Sequence, residues 1–219
     1  MLRRQRGQSA LKIAVTLGIQ AKYRSVHRFL KRKGLTAPTK NYRRPRYQET
    51  THMHVRNTTA PGKLQMDVKY VTPELSGLQH TAYLYAVMDI YSRYKQGVIL
   101  PAVDQSLAIE ALRYLVPLLP FTPDFIQTDN GLEFQSRFTD YVTKELGWQH
   151  HHIHKSSPNE NAVIERSFRT DEEEFFWRLP RAAKDTVELN TWYQDWLVYY
   201  NNERIHLGIN LQTPSEMLG

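Results

Sequence analysis

Apolar positions along this chain follow two periods. Leu64, Met66 and Val68 alternate with polar neighbours, and Leu64–Val71, Tyr83–Ile90 and Tyr94–Leu100 each have the length and composition of a strand. Turn residues such as Ser76-Gly77 separate them. The pattern then changes. Ser106 is placed to N-cap a helix over Leu107–Val116 that Pro117 stops; Phe125–Thr128 is a short strand; Ser136–Leu146 is a helix closed by Gly147. Trp148–Ile153 is extended again, and helices are expected over about Asn161–Trp177 and Val187–Tyr200. Thr213-Pro214-Ser215-Glu216 has the form of a capping box with proline at the first helical position, which predicts a last short helix. Three strands followed by mixed strand and helix predict an α/β fold: a mixed sheet with helices packed on it.

Ahead of this body, Ser9–Leu17 is a short amphipathic helix with Leu11, Ile13, Ala14 and Leu17 on one side. Gly18 interrupts it, and Lys22–Lys33 resumes with Val26, Phe29 and Leu30. Helix, glycine turn and basic helix make a helix-turn-helix pattern, partial because only Met1–Gln8 precedes it. Pro38, Pro45 and Pro61 among scattered Arg and Thr mark a basic linker. The domains expected are a partial helix-turn-helix segment at 1–35, a linker at 36–63 and a body at 64–219.

Charge sharpens that division. The net charge of +7 is an average: Met1–Lys63 holds sixteen Lys and Arg against one acid, Glu49, whereas the rest holds thirteen against twenty-one. A basic arm on an acidic body is the footprint of a polyanion binder. The candidate DNA contacts in the arm are Lys22, Arg24, Arg28, Lys31, Arg32, Lys33, Arg43, Arg44 and Arg46. The absence of cysteine excludes disulfides, thiolate metal sites and thiol catalysis. The longest apolar runs, Ala82–Ile90 and Tyr114–Phe121, fall far short of the roughly 20 residues of a bilayer span, and no signal-peptide pattern opens the chain. No membrane partner is expected, and the location expected is cytoplasmic.

Three carboxylates fall where this layout brings them together. Asp67 interrupts an apolar strand, where an acid is costly unless used. Asp129 ends another strand before the tight turn Asn130-Gly131, and Glu165 lies in the first turns of the long helix after it. Converged carboxylates repel one another and make sense around hard divalent cations. Spacing alone does not separate that use from ordinary surface acids.

The surrounding residues do. The chain resembles the DDE recombinases with a retroviral-type integrase core, in particular the transposases of bacterial insertion sequences. The resemblance rests on Leu64-Gln65-Met66-Asp67-Val68, on Asp89-Ile90-Tyr91-Ser92-Arg93-Tyr94, and on Thr128-Asp129-Asn130-Gly131-Leu132-Glu133-Phe134. It continues through Ser157-Pro158-Asn159-Glu160-Asn161-Ala162-Val163-Ile164-Glu165-Arg166 and Tyr200-Asn201-Asn202-Glu203-Arg204-Ile205-His206 to Thr213-Pro214-Ser215-Glu216. These motifs stand in family order from Leu64 to Leu218; Ala162 departs from the usual glycine. The resemblance implies a ribonuclease H-like fold, with Asp67, Asp129 and Glu165 as catalytic ligands for Mg²⁺ or Mn²⁺. It implies cleavage at transposon ends, strand transfer into target DNA, and a homo-oligomer, because two ends must be joined. The alternatives are an inactive or truncated remnant that only binds DNA, and a nuclease without joining activity.

Other residues are weighed beside these. Arg166 and Arg169 follow Glu165 on its helix and are candidate phosphate contacts. Asn130 and Gly131 are expected to shape the loop at Asp129, and Asp89 to hold a turn with Ser92 and Arg93. His150, His152 and His154 alternate onto one face of an extended segment, a DNA-contacting edge rather than a zinc site, since no partner ligands are recognisable. Asp171–Glu174 is expected to be a solvated face, and Trp177, Trp192, Trp196, Tyr193, Tyr199 and Tyr200 to pack in the core.

Overall fold

A computed structural model describes residues 9–36, 58–154 and 160–219. The chain divides into two compact units, Met1–His54 and Val55–Gly219. In the first, α1 (Ala10–Thr16) begins at Ser9, whose Oγ accepts from Lys12 N at 3.3 Å, and α2 (Tyr23–Arg32) follows. Gly18 sits between them in the left-handed region at φ 59°, which suits a residue without Cβ. Ala10, Ile13 and Leu30 form the small core with Val26 and Leu35. Leu17 and Phe29, expected on the apolar side, are exposed. Two short helices bury one narrow stripe, so apolar residues at its edges stay in water. Lys22, Arg24, Arg28, Lys31, Arg32 and Lys33 are all exposed; Arg43, Arg44 and Arg46 lie outside the described residues.

The second unit is built on a five-stranded sheet in the order β3-β2-β1-β4-β5. Its strands are β1 (Lys63–Val71), β2 (Ala82–Asp89), β3 (Lys95–Leu100), β4 (Phe125–Thr128) and β5 (Gln149–His152). The first three pair antiparallel, while β1–β4 and β4–β5 are parallel. Between β1 and β2 a single turn, α3 (Pro73–Ser76), ends on Gly77 at φ 76°. Helices cover both faces: α4 (Gln105–Leu115) and α5 (Arg137–Asp140) lie on one, α6 (Ala162–Glu174) and α7 (Thr186–Asn202) on the other.

The period of two in β1 decides which residues meet which layer. Leu64 and Met66 face α4 and α5, with Ile126, Phe134 and Phe138. Gln65, Asp67 and Lys69 therefore face α6, where Gln65 bonds Ile164 and Lys69 pairs with Glu172. The α6 face is aromatic: Phe168, Phe175, Tyr193, Trp196 and Tyr200 pack against Leu84, Ala86 and Met88. Trp177 is the exception among the expected core aromatics and is exposed.

Several local expectations change. Asp104, not Ser106, caps α4, its Oδ1 accepting from Leu107 N at 2.9 Å. The helix expected at Ser136–Leu146 is one α-turn, Arg137–Asp140, that widens into a π-helix at Tyr141–Glu145. At Thr213 both capping-box bonds form, Thr213 N to Glu216 Oε2 at 2.7 Å and Glu216 N to Thr213 Oγ1 at 3.1 Å, yet the segment makes turns and no helix. The box satisfies a turn as readily as it starts a helix. Asp171 is not part of a solvated face. It is fully buried, accepts from Trp196 Nε1 at 3.0 Å and Tyr193 Oη at 3.2 Å, and pairs with the equally buried Lys95. Glu172 and Glu174 are also taken, by Lys69 and Arg204. Among the described residues no helix is long and apolar enough to cross a membrane.

Candidate active site

Parallel pairing of β1 with β4 sets Gln65 opposite Gln127. Two residues further along the chain from each glutamine come Asp67, within β1, and Asp129, just past the end of β4. The same triplet form, Gln-x-Asp, thus occurs at both places, Gln65-Met66-Asp67 and Gln127-Thr128-Asp129. The glutamines are buried and grip one carbonyl: both Nε2 groups donate to Glu160 O, Gln127 at 2.8 Å. Gln65 Oε1 also accepts from Ile164 N at 3.0 Å, satisfying a first-turn N–H of α6 that has no partner within the helix. Asn161, the N-cap residue, makes no side-chain cap bond. Its Nδ2 donates instead to Asp67 Oδ2 at 3.0 Å.

Helix α6 then presents Glu165 in its first turn, at the surface beside the two aspartates. Asp129 is held by Gly131 N, which donates to Oδ1 at 2.9 Å, and Asn130 Nδ2 ties the loop to Ile153 O at 2.8 Å. Both residues shape the loop, as the sequence suggests. Asp89 holds a turn as well: its carboxylate accepts from Gly62 N at 2.9 Å and from Ser92 N and Oγ, each at 2.7 Å.

The electrostatics show that the three carboxylates share one region. Burial pushes the Asp67 carboxyl up to about 7; the Val68 N–H opposes this, and the charges of Asp129, Glu165 and Glu133 add to it. Glu165 is raised as well, by partial burial and then by Asp129. Glu133 therefore belongs to the acidic cluster, although it follows Asp129 only in a 3₁₀ turn. Such a cluster is stabilised by cations.

The donor set fits hard divalent ions. All three groups offer carboxylate oxygen, and Asn161 Oδ1 and Gln127 Oε1 are buried beside them with no hydrogen-bond partner. The carboxylates do not close into a ready cage. Among the described residues, the set of His, Asp and Glu side chains whose ligand atoms all lie within 4.8 Å of one another is His151, His154 and Glu160. A wider spacing suits ions that keep several waters.

The histidines divide differently from the alternation expected. His150 and His152 face α5: His150 Nε2 is 3.0 Å from Thr128 Oγ1, its Nδ1 is 3.0 Å from Thr139 Oγ1, and its ring meets Phe138 edge-on. Burial, then neighbouring His152 and His151, pushes His150 down to about 4. It is half-buried and packs against Phe138 between the two threonines. His154 lies beyond the end of β5 and joins His151 on the opposite face. Arg166 and Arg169 are exposed next to Glu165, and Arg169 Nε donates to Glu173 Oε1 at 2.8 Å.

The roles of Gln65 and Gln127 and the Asn161–Asp67 bond are not expected from the sequence. The signal in the sequence is the repeated triplet itself, a glutamine two residues before each aspartate.

Two family models match the chain, both described as integrase core domain, at residues 57–158 and 146–214. The integrase-named ORF3 product of Spiroplasma virus SpV1-C74 is 27% identical over 174 residues, covering 72% of this chain and 47% of the relative. The transposase for insertion sequence element IS904 of Lactococcus lactis is 25% identical over 163 residues, covering 72% and 62%. The chain thus spans about half to three-fifths of the length of these curated relatives. A chain of the simian T-cell lymphotropic virus intasome superposes with a TM-score of 0.64 at 18% identity, covering 94% of this chain and 70% of that one. The HTLV-2 integrase catalytic core domain, solved in complex with magnesium as a dimer, gives 0.56 at 17%, covering 74% and 99%. The fold is ribonuclease H-like, and the chain, with integrase core matches running from residue 57 to residue 214, belongs to the DDE transposase and integrase family.

Proposed function

We propose that this chain is the catalytic subunit of a transposase: it cuts DNA at transposon ends and joins the freed 3′ end to target DNA. The observation that carries this is the juxtaposition of Asp67 on β1 and Asp129 just past the end of the parallel neighbour β4, beside the first turn of α6, which bears Glu165. In this reading Asp67, Asp129 and Glu165 hold Mg²⁺ or Mn²⁺. Bound there, such ions supply the Lewis acidity that activates an attacking oxygen and stabilises the leaving oxygen of a phosphodiester. The chain's own work is positional. Asn161 orients Asp67, Gly131 N–H orients Asp129, and the Gln65–Gln127 grip on Glu160 O sets where α6 begins and so where Glu165 stands. The exposed cations Lys22, Arg24, Arg28, Lys31, Arg32 and Lys33, with Arg43, Arg44 and Arg46 of the linker, hold phosphates of the transposon end. Arg166 and Arg169 approach the strand being cut. The segment 1–35 is then the end-binding unit, 36–63 the linker and 64–219 the core, acting as a homo-oligomer on two ends.

The test is a joining assay: labelled duplexes carrying the element's own terminal repeats, a supercoiled target, and Mg²⁺. Joined product is expected with Mg²⁺ or Mn²⁺ and none with EDTA. Cleavage without any joined product would support the nuclease alternative and overturn this reading.

The acidic cluster also predicts a pH signature. An acid whose folded pKa is raised binds protons more readily when folded, so the Asp67 contribution falls as pH rises from about 4 through about 7. His150 runs the other way: held neutral by burial, it makes stability rise with pH between about 4 and 6.5. Urea midpoints of the metal-free wild type should therefore change little between pH 4.5 and 6.5. Asp67→Asn should unmask the histidine slope, roughly 1–2 kcal/mol after solvent screening. At pH 8 it should be more stable than the metal-free wild type by about 2–3 kcal/mol, and it should lose the stabilisation Mg²⁺ gives the wild type.

A further inference from the structure

Glu160 precedes the N-cap of α6 and turns its side chain away from the acidic cluster toward the end of β5. His154 Nδ1 lies 3.1 Å from Glu160 Oε1, His151 Nε2 lies 3.6 Å from Oε2, and the three ligand atoms are mutually within 4.8 Å. A tetrahedral ion with bonds of about 2.0–2.1 Å holds adjacent ligands roughly 3.3 Å apart, between the 3.1 and 3.6 Å of the two His–Glu spacings. The Glu160 carboxylate is largely buried, the His154 side chain largely exposed, and the His151 ring is stacked on Phe125 with centroids 6.2 Å apart. Two ligands are therefore braced, and the third faces the solvent from which an ion and a fourth, water ligand arrive.

We propose that His151, His154 and Glu160 form a second metal site, for a divalent transition ion of the zinc class. Two imidazoles and one carboxylate select a borderline ion, whereas magnesium prefers all-oxygen surroundings, so the site is chemically separate from the carboxylates of Asp67, Asp129 and Glu165. Its effect is on position. The ion clips the end of β5 to Glu160 across residues 155–159, while Gln65 and Gln127 hold the carbonyl of that residue and its neighbour Asn161 holds Asp67. Glu160 is then fixed at both its side chain and its main chain, and with it the start of the helix that carries Glu165. Plain His–Glu ion pairs would give the same two contacts without affinity for metal.

The experiment uses the untagged full-length chain carrying D67N, D129N and E165Q, so that the carboxylates of the transposase site cannot supply ligands and failure of that function leaves this test intact. After EDTA stripping, Zn²⁺ is titrated against a chromophoric chelator, and Co²⁺ is followed by its visible ligand-field bands. One Zn²⁺ equivalent with micromolar or tighter affinity is expected. Both Glu160→Gln, which keeps an acceptor for His154, and His154→Ala, at an exposed position, should weaken it at least tenfold. Circular dichroism checks that both variants keep the fold. The Co²⁺ spectrum, which needs no further variant, should be the intense one of a tetrahedral ion. No uptake, affinity unchanged in Glu160→Gln, or a weak octahedral cobalt spectrum would each overturn the proposal.

Discussion

Replacing Asp129 by Asn is expected to lower strand joining by on the order of 10³-fold or more, about 4 kcal/mol of transition-state stabilisation, while retention of DNA in a filter or mobility-shift assay changes less than about twofold. The substitution keeps the size of the side chain, and Asn Oδ1 can still accept from Gly131 N, so the loop stays folded. What it removes is the negative charge that holds a divalent ion. Glu165→Gln should behave alike, from the other side of the cluster. Asn161→Ala sets the scale for positioning: it leaves all three carboxylates but frees Asp67 Oδ2, and should cost about 10–100-fold, with part of the loss recovered at higher Mg²⁺. If Asp129→Asn joined DNA at the wild-type rate, the three-carboxylate site would be wrong even though the family and fold stand.

Much of this site was legible because strands repeat every two residues. Once Leu64 and Met66 are assigned to one layer, Asp67 must face the other, and Asp129 follows from a parallel neighbour. Capping was less legible: Asp104 and Ser106 are both good caps two residues apart, and only the backbone turn decides between them. The histidines show the same limit. Alternation predicts a shared face for residues 150, 152 and 154, but β5 ends at His152 and its pleat ends with it. The π-helix at Tyr141–Glu145 leaves no mark in a hydrophobic pattern, since one extra residue in a turn is a matter of packing against β5. Asp171 departs from expectation for another reason. Ile164, Phe168, Asp171 and Phe175 follow one another at helical spacing of three or four, so the stripe itself places Asp171 inward; composition, four acids in a row, suggested the opposite. Lys95, in register with Met88 on β2, gave no hint of its partner.

Asp171→Ala should be the most destabilising single change outside the apolar core, about 3–5 kcal/mol by urea unfolding at pH 7. The carboxylate is fully buried and takes Lys95, Tyr193 and Trp196 at once, so its loss strands an ammonium, a hydroxyl and an indole N–H in an aromatic core. Phe168 and Tyr200, whose ring centroids lie 5.1 and 5.7 Å from Lys95 Nζ, soften the cost without supplying a counter-charge. Burial already holds the Lys95 ammonium below its ordinary range, with Asp171 opposing that shift. Without Asp171 the lysine falls further. A lysine whose folded pKa is depressed gives stability that rises with pH, so the Asp171→Ala deficit should narrow between pH 7 and pH 10. The double variant Lys95→Met, Asp171→Ala should recover at least half of the loss at pH 7, because it removes the uncompensated charge and leaves only two neutral donors to find partners. A deficit that neither narrows with pH nor recovers in the double variant would show that the lost packing around Trp196, and not the stranded charge, sets the cost.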